Sequence, residues 1–97
     1  MAPTDDVEVE VDETREIEPD KIVAVRILRV PESDKFSNGV KYGYHYAEKG
    51  ADDPILRYEN HHGVHERHEG DSVEELDEFP GAKSLLRRFL EEIGIEL

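Results

Sequence analysis

The chain has 97 residues, which is room for one domain burying roughly 60–65% of its unfolded surface and so for one modest core. Asp and Glu number 25 against 12 Lys and Arg, a formal net charge of −13, yet 36% of residues are hydrophobic, which excludes wholesale disorder for the middle and C-terminal parts. Cysteine is absent, which excludes disulfides and thiolate metal sites, and no apolar run approaches the roughly 20 residues of a membrane span; with no basic-then-apolar leader, the expected location is cytoplasmic.

Lysines are confined to Lys21, Lys35, Lys41, Lys49 and Lys83. An acidic, lysine-poor, cysteine-free coat is what a cytosolic protein of a salt-in extreme halophile needs, because carboxylates keep its surface hydrated. In molar salt the screening length is about 3 Å. The net charge therefore does not exclude a nucleic-acid partner, and only local groups count.

In residues 1–20, Asp5, Asp6, Glu8, Glu10, Asp12, Glu13, Glu16, Glu18 and Asp20 face Arg15 alone. Val7, Val9 and Val11 alternate as in a strand, but like charges oppose pairing. The segment is expected to be a disordered acidic arm; addition to a sheet edge or mimicry of a nucleic-acid backbone is the other reading. From Lys21 the composition changes, and residues 21–97 are expected to form a single α+β domain.

Ile22–Val30, β-branched and bounded by Pro19 and Pro31, is a predicted strand. Asn38-Gly39 turns the chain into a second, Val40–Glu48. There Val40, Tyr42, Tyr44 and Tyr46 share one face, and Lys41, Gly43, His45 and Ala47 the other. Tyrosines at period two read as cross-strand packing rather than as a binding platform. After a Gly50/Pro54 loop, a third strand over Ile55–Asn60 returns antiparallel. Pairing Tyr46 with Leu56 and Tyr44 with Tyr58 keeps the apolar residues on one face, whereas a one-residue slip would set Arg57 against Tyr44. The first register places His45 beside Arg57, with Glu59 near, on a polar face.

His61-His62-Gly63 is turn-like, Val64–Glu69 a short fourth strand, and Val73–Phe79 an irregular acidic connection. Pro80 suits the first helical position. Ala82, Leu85, Leu86, Phe89, Leu90 and Ile93 then form an apolar stripe that Gly94 ends. The expected architecture is an α+β fold, a four-stranded antiparallel meander with one C-terminal amphipathic helix packed on one face. The opposite face lies open to solvent, a ligand or a second subunit.

All 5 histidines and all 4 tyrosines lie between Tyr42 and His68, more than packing requires. Metal-independent RNA cleavage needs a base for the 2′-hydroxyl, an acid for the leaving oxygen and a cation for the phosphate. Imidazoles titrate in the working range, and a guanidinium fork matches phosphate oxygens. His45, Arg57, His65 or His68, and Tyr58 supply that set. Because His65 and His68 have opposite parity, one of them at most joins His45 and Arg57 unless a bulge intervenes. A second reading is a zinc or nickel site from His61, His62, His65 and His68, although a turn and strand scatter those rings. In a third, these are ordinary surface groups, with Arg57 and Glu59 a cross-strand ion pair.

Tyr44-His45-Tyr46, followed by Leu56-Arg57-Tyr58-Glu59-Asn60 and then His65 and His68, resembles the pattern Tyr-His-Tyr, Leu-Arg-Tyr-Asp-Asn, His of the TumE-type toxins of toxin–antitoxin pairs. The resemblance spans roughly Ile22 to Ile93. It implies a toxin encoded beside a helix-turn-helix antitoxin, acting on RNA and restrained by direct binding. Glu59 departs from the family's usual Asp. The matching positions are Tyr44, His45, Tyr46, Arg57, Tyr58, Asn60, His65 and His68. Asn60 is expected to hold its turn rather than touch substrate. The alternative function is a non-catalytic module whose tyrosines and arginines serve a homodimer or antitoxin interface.

Overall fold

The β-branched run after Lys21 forms strand β2, Lys21–Arg29, which pairs along its whole length with β3, Val40–Glu48. Their alternation sends Val23, Val25, Ile27, Tyr42 and Tyr44 to one face, where all are buried. β4, Leu56–Glu59, adds Leu56 and Tyr58 to that face. The β3/β4 register is the predicted one: Tyr46 opposes Leu56, His45 opposes Arg57 and Tyr44 opposes Tyr58. The described structure, a computed structural model, covers residues 7–95. Residues 1–6 of the expected arm and the last two of the chain lie outside it.

The sheet has six strands rather than the expected four, in the order β1-β2-β3-β4-β5-β6, each antiparallel to its chain neighbours. The first addition is β1, Glu8–Ile17, within the segment expected to be a disordered arm. Its acids are offset by cations from elsewhere: Arg29 Nε donates to Glu10 at 3.1 Å, Lys49 lies 3.1 Å from Glu16, and Arg26 lies 3.8 Å from Asp12. Val11 and Ile17 meanwhile pack against the core. The second addition is β6, Ser72–Glu75, in the segment expected to be irregular. It follows β5, Glu66–Glu69, which is shorter than predicted, through a turn at Gly70, whose φ of 59° favours glycine.

Helix α1, Ala82–Ile93, lies over the apolar face and buries Leu85 and Phe89. The Phe89 ring meets Tyr44 and Tyr58 at centroid distances of 5.7 and 5.9 Å, and the Tyr44 hydroxyl donates to the Ala82 carbonyl at 2.6 Å. Gly81 caps the helix, so Pro80 stands ahead of it rather than in its first turn. Gly94 ends it in the left-handed conformation, as predicted. The opposite face of the sheet carries no helix among the described residues.

Candidate functional site

Period-two alternation fixes what the uncovered face carries: His45 from β3, Arg57 and Glu59 from β4, Glu66 and His68 from β5. His45 opposes Arg57, and Arg57 opposes His68. The three therefore form one straight row across adjacent strands, with the guanidinium between two imidazoles. Two strand spacings separate the histidine backbones by about 10 Å.

Glu59 is the hub of this cluster and is only 4% exposed. A buried carboxylate is costly unless cations or donors surround it, and here three side chains do. Arg57 Nη2 donates to it at 3.4 Å, His61 Nδ1 lies 3.3 Å away and His68 Nε2 3.6 Å away. His68 Nε2 also lies 3.2 Å from Glu66. At 3.4 Å the Arg57 bond is near the limit of a hydrogen bond, and the buried Arg57 Nε makes none. The Arg57 side chain is nevertheless 28% exposed.

Two local devices set this geometry. Asn60 is 4% exposed; its Oδ1 accepts from the Tyr42 N–H and its Nδ2 donates to the Val40 carbonyl, both at 2.9 Å. Its amide thereby continues the β3/β4 ladder past the end of β4, bonding across to β3 rather than capping its own turn. Gly43 is the other device: a Cβ there would meet His61 Nε2 at 3.1 Å, so its bare backbone lets that ring lie over β3.

Burial holds the His45 imidazole below its ordinary value, Arg57 adding to the effect and Glu59 opposing it. Burial likewise lowers His61, against the pull of Glu59. Beside His45 the same face dips into an open trough of about 460 Å³. Ala24, Gly43 and Ala47 line it with little side chain, beside the larger Ile22 and Leu28. Asp12, Thr14, Arg26, Lys41, His45 and His61 also line it. Arg57 and His68 lie beyond His45, outside the trough.

Two predicted site residues are elsewhere. The Tyr58 ring is fully buried under the helix, its hydroxyl hydrogen-bonded to Glu92 and its pKa pushed up to about 12, chiefly by burial. His65 stacks on Phe79 with centroids 4.2 Å apart, and its Nδ1 lies 2.9 Å from the Tyr42 hydroxyl. Tyr42 belongs to the helix-facing side, so His65 is separated from His45 by the sheet. The four-histidine metal set is not gathered either, since His65 is on that far side and His62 is exposed. What converges instead is Glu59, Glu66 and His68, with ligand atoms within 4.8 Å of one another; Arg57 beside Glu59 would oppose a dication there. Glu59 stands on the polar face beside Arg57 as the register predicted, and His61, a candidate only in the metal reading, joins it; neither was in the predicted catalytic set, nor was Glu66. The signal for Glu59 was its spacing of two from Arg57; that for His61 was the glycine across the ladder, which pattern alone does not reveal.

No described helix is long and apolar enough to cross a membrane. No curated protein and no solved structure matches the chain. The family described as toxin TumE matches over residues 3–97, which takes in every strand, the helix and all the residues of the row. The chain therefore belongs to the TumE family, the toxins of toxin–antitoxin pairs, and its counterpart is an antitoxin.

Proposed function

We propose that this toxin is an RNA endonuclease that cleaves without a metal, using His45 as base, Arg57 as phosphate clamp and His68 as acid. The observation that carries the reading is the direct cross-strand order His45, Arg57, His68. In-line displacement at phosphorus sets the attacking and leaving oxygens on opposite sides, so base and acid must flank the phosphate. A phosphate held by Arg57 has an imidazole on each side.

His45 takes the proton of the 2′-hydroxyl as that oxygen bonds to phosphorus. His68 gives a proton to the departing 5′-oxygen, and the products are a 2′,3′-cyclic phosphate and a 5′-hydroxyl. His45 suits the base role because its lowered pKa keeps it neutral at pH 7 and it makes no side-chain hydrogen bond among the described residues. The carboxylates at His68 are the counter-ions that a cationic donor needs. Glu59 positions Arg57 and His68. Tyr58 and His65 take no part. The antitoxin, of helix-turn-helix type as the resemblance implies, restrains the toxin by direct binding.

The test is cleavage of RNA by the purified protein with and without EDTA, beside Arg57→Ala and His45→Ala. Cleavage that survives EDTA and falls at least 100-fold in both variants, with melting temperatures within a few degrees of the parent, is the expected result. EDTA-sensitive cleavage would favour the Glu59, Glu66 and His68 set as a metal site. Absence of cleavage would make the open face an interface for the antitoxin or a second copy.

A further inference from the structure

The row of three has a direction. The base withdraws a proton from the nucleotide that carries the attacking 2′-hydroxyl, and the acid serves the nucleotide that leaves. The two nucleotides must therefore lie on opposite sides of Arg57, the first over β3 and beyond, the second over β5 and beyond.

The two sides are built differently. On the β3 side the face continues into the trough, lined by Ala24, Gly43 and Ala47 and, from β1, by Asp12 and Thr14. Ala24 is the register partner of His45, so the trough starts where the base ends. Arg26 and Lys41 also line it. Arg26 has Asp12 at 3.8 Å with both side chains more than half exposed, a pairing that an arriving phosphate can displace. Lys41 has no ion pair among the described residues. On the β5 side, His68 is followed by Val73, and Glu66 by Glu75. That side carries no cation beyond His68 among the described residues.

We propose, resting on the reading of the protein as a ribonuclease, that the trough is the subsite for the nucleoside 5′ of the cleaved bond. Its base lies splayed against Ala24, Gly43 and Ala47, and Arg26 and Lys41 meet the next phosphate upstream. RNA then runs 5′ to 3′ from β1 towards β6, and the nucleotide 3′ of the break is held little. A base turned out of its stack into a protein recess is the usual way in which single-stranded RNA is gripped, and upstream phosphates supply the ionic part.

The experiment uses the full chain and short DNA strands that carry one ribonucleotide, so that only one bond can break. In one substrate the ribose lacks its base; in a second, the nucleotide 3′ of the break is abasic; a third is complete. Removing the ribonucleotide's base should lower kcat/KM at least 10-fold, and removing the 3′ base should change it less than 3-fold. Ala24→Leu, which fills the trough on the uncovered face, should raise KM for the complete substrate at least 10-fold. Its melting temperature should stay within a few degrees of the parent's, which shows that the variant is folded. Equal loss from either base, a larger loss from the 3′ base, or an Ala24→Leu protein that cuts the complete substrate like the parent would overturn the subsite while leaving the ribonuclease reading in place. Failure of the parent to cut any of the three would overturn both.

Discussion

At the scale of single residues, each group of the cluster depends on a neighbour. Glu59 can be buried because Arg57, His61 and His68 surround it, and Asn60 beside it replaces backbone hydrogen bonds that the short β4 cannot make. A buried amide of that kind is expensive to remove, since Tyr42 N–H and Val40 carbonyl would lose their partners together. His45 is the group whose state can be read directly. Its imidazole stays neutral to a lower pH than an ordinary ring, because burial and the Arg57 charge both disfavour protonation. In an NMR titration His45 should change charge below the usual value of 6.5. In Arg57→Gln, which keeps much of the bulk without the charge, its midpoint should move upward. A midpoint that stays put would mean that Arg57 does not act on His45.

The same scale shows which residues the sequence could place. Alternation along β3 and β4 located the His45/Arg57 pair because only one register gathers the apolar residues on one face. That register already put Tyr58 beside Tyr44 on the apolar face. Its candidacy as a site residue therefore conflicted with the pairing, and the helix now occupies its hydroxyl. The choice between His65 and His68 rested on parity within a strand whose start was uncertain. β5 begins at Glu66, which leaves His65 outside it, free to stack on Phe79.

At the scale of elements, the helix was legible and the flanking strands were not. The stripe from Ala82 to Ile93 has a spacing that only a helix explains, and Gly94 supplies its stop. β1 was obscured because its acids were weighed against one another; the compensating Arg26, Arg29 and Lys49 lie in other parts of the chain. β6 has four residues, all exposed, too few for a pattern to show. The helix carries most of what closes the core. Phe89 has 0% exposure and touches both Tyr44 and Tyr58, so Phe89→Ala should cost about 3–5 kcal/mol in urea denaturation. Leu90→Ala, at a half-buried position, should cost clearly less. Anchoring at the far end comes from Glu92. Burial pushes its carboxyl up, but hydrogen bonds from Arg67 and Tyr58 outweigh that and hold it below the usual carboxylate range. Arg67 Nε donates to it at 3.1 Å. These contacts lie on the side away from His45, so they shape stability without touching the row.

At the scale of the molecule, strand order equals chain order, and the packing is graded from the middle outwards. β3 and β4 hold the buried tyrosines beneath the helix, whereas β1 and β6 are edges with nearly every residue exposed. Hydrogen exchange on the isolated toxin should follow that grade: slowest at Tyr42, Tyr44 and Tyr58, fastest over Ser72–Glu75 and the outer part of β1. Uniform protection across all six strands would contradict it.

A sheet in which every strand joins its predecessor has a further property. Every ladder joins strands that are neighbours in the chain, so each closure spans a single connection. His45, Arg57 and His68 come from three consecutive strands and are assembled when two neighbouring hairpins close. The order of that row is therefore written within a stretch of 24 residues, positions 45 to 68.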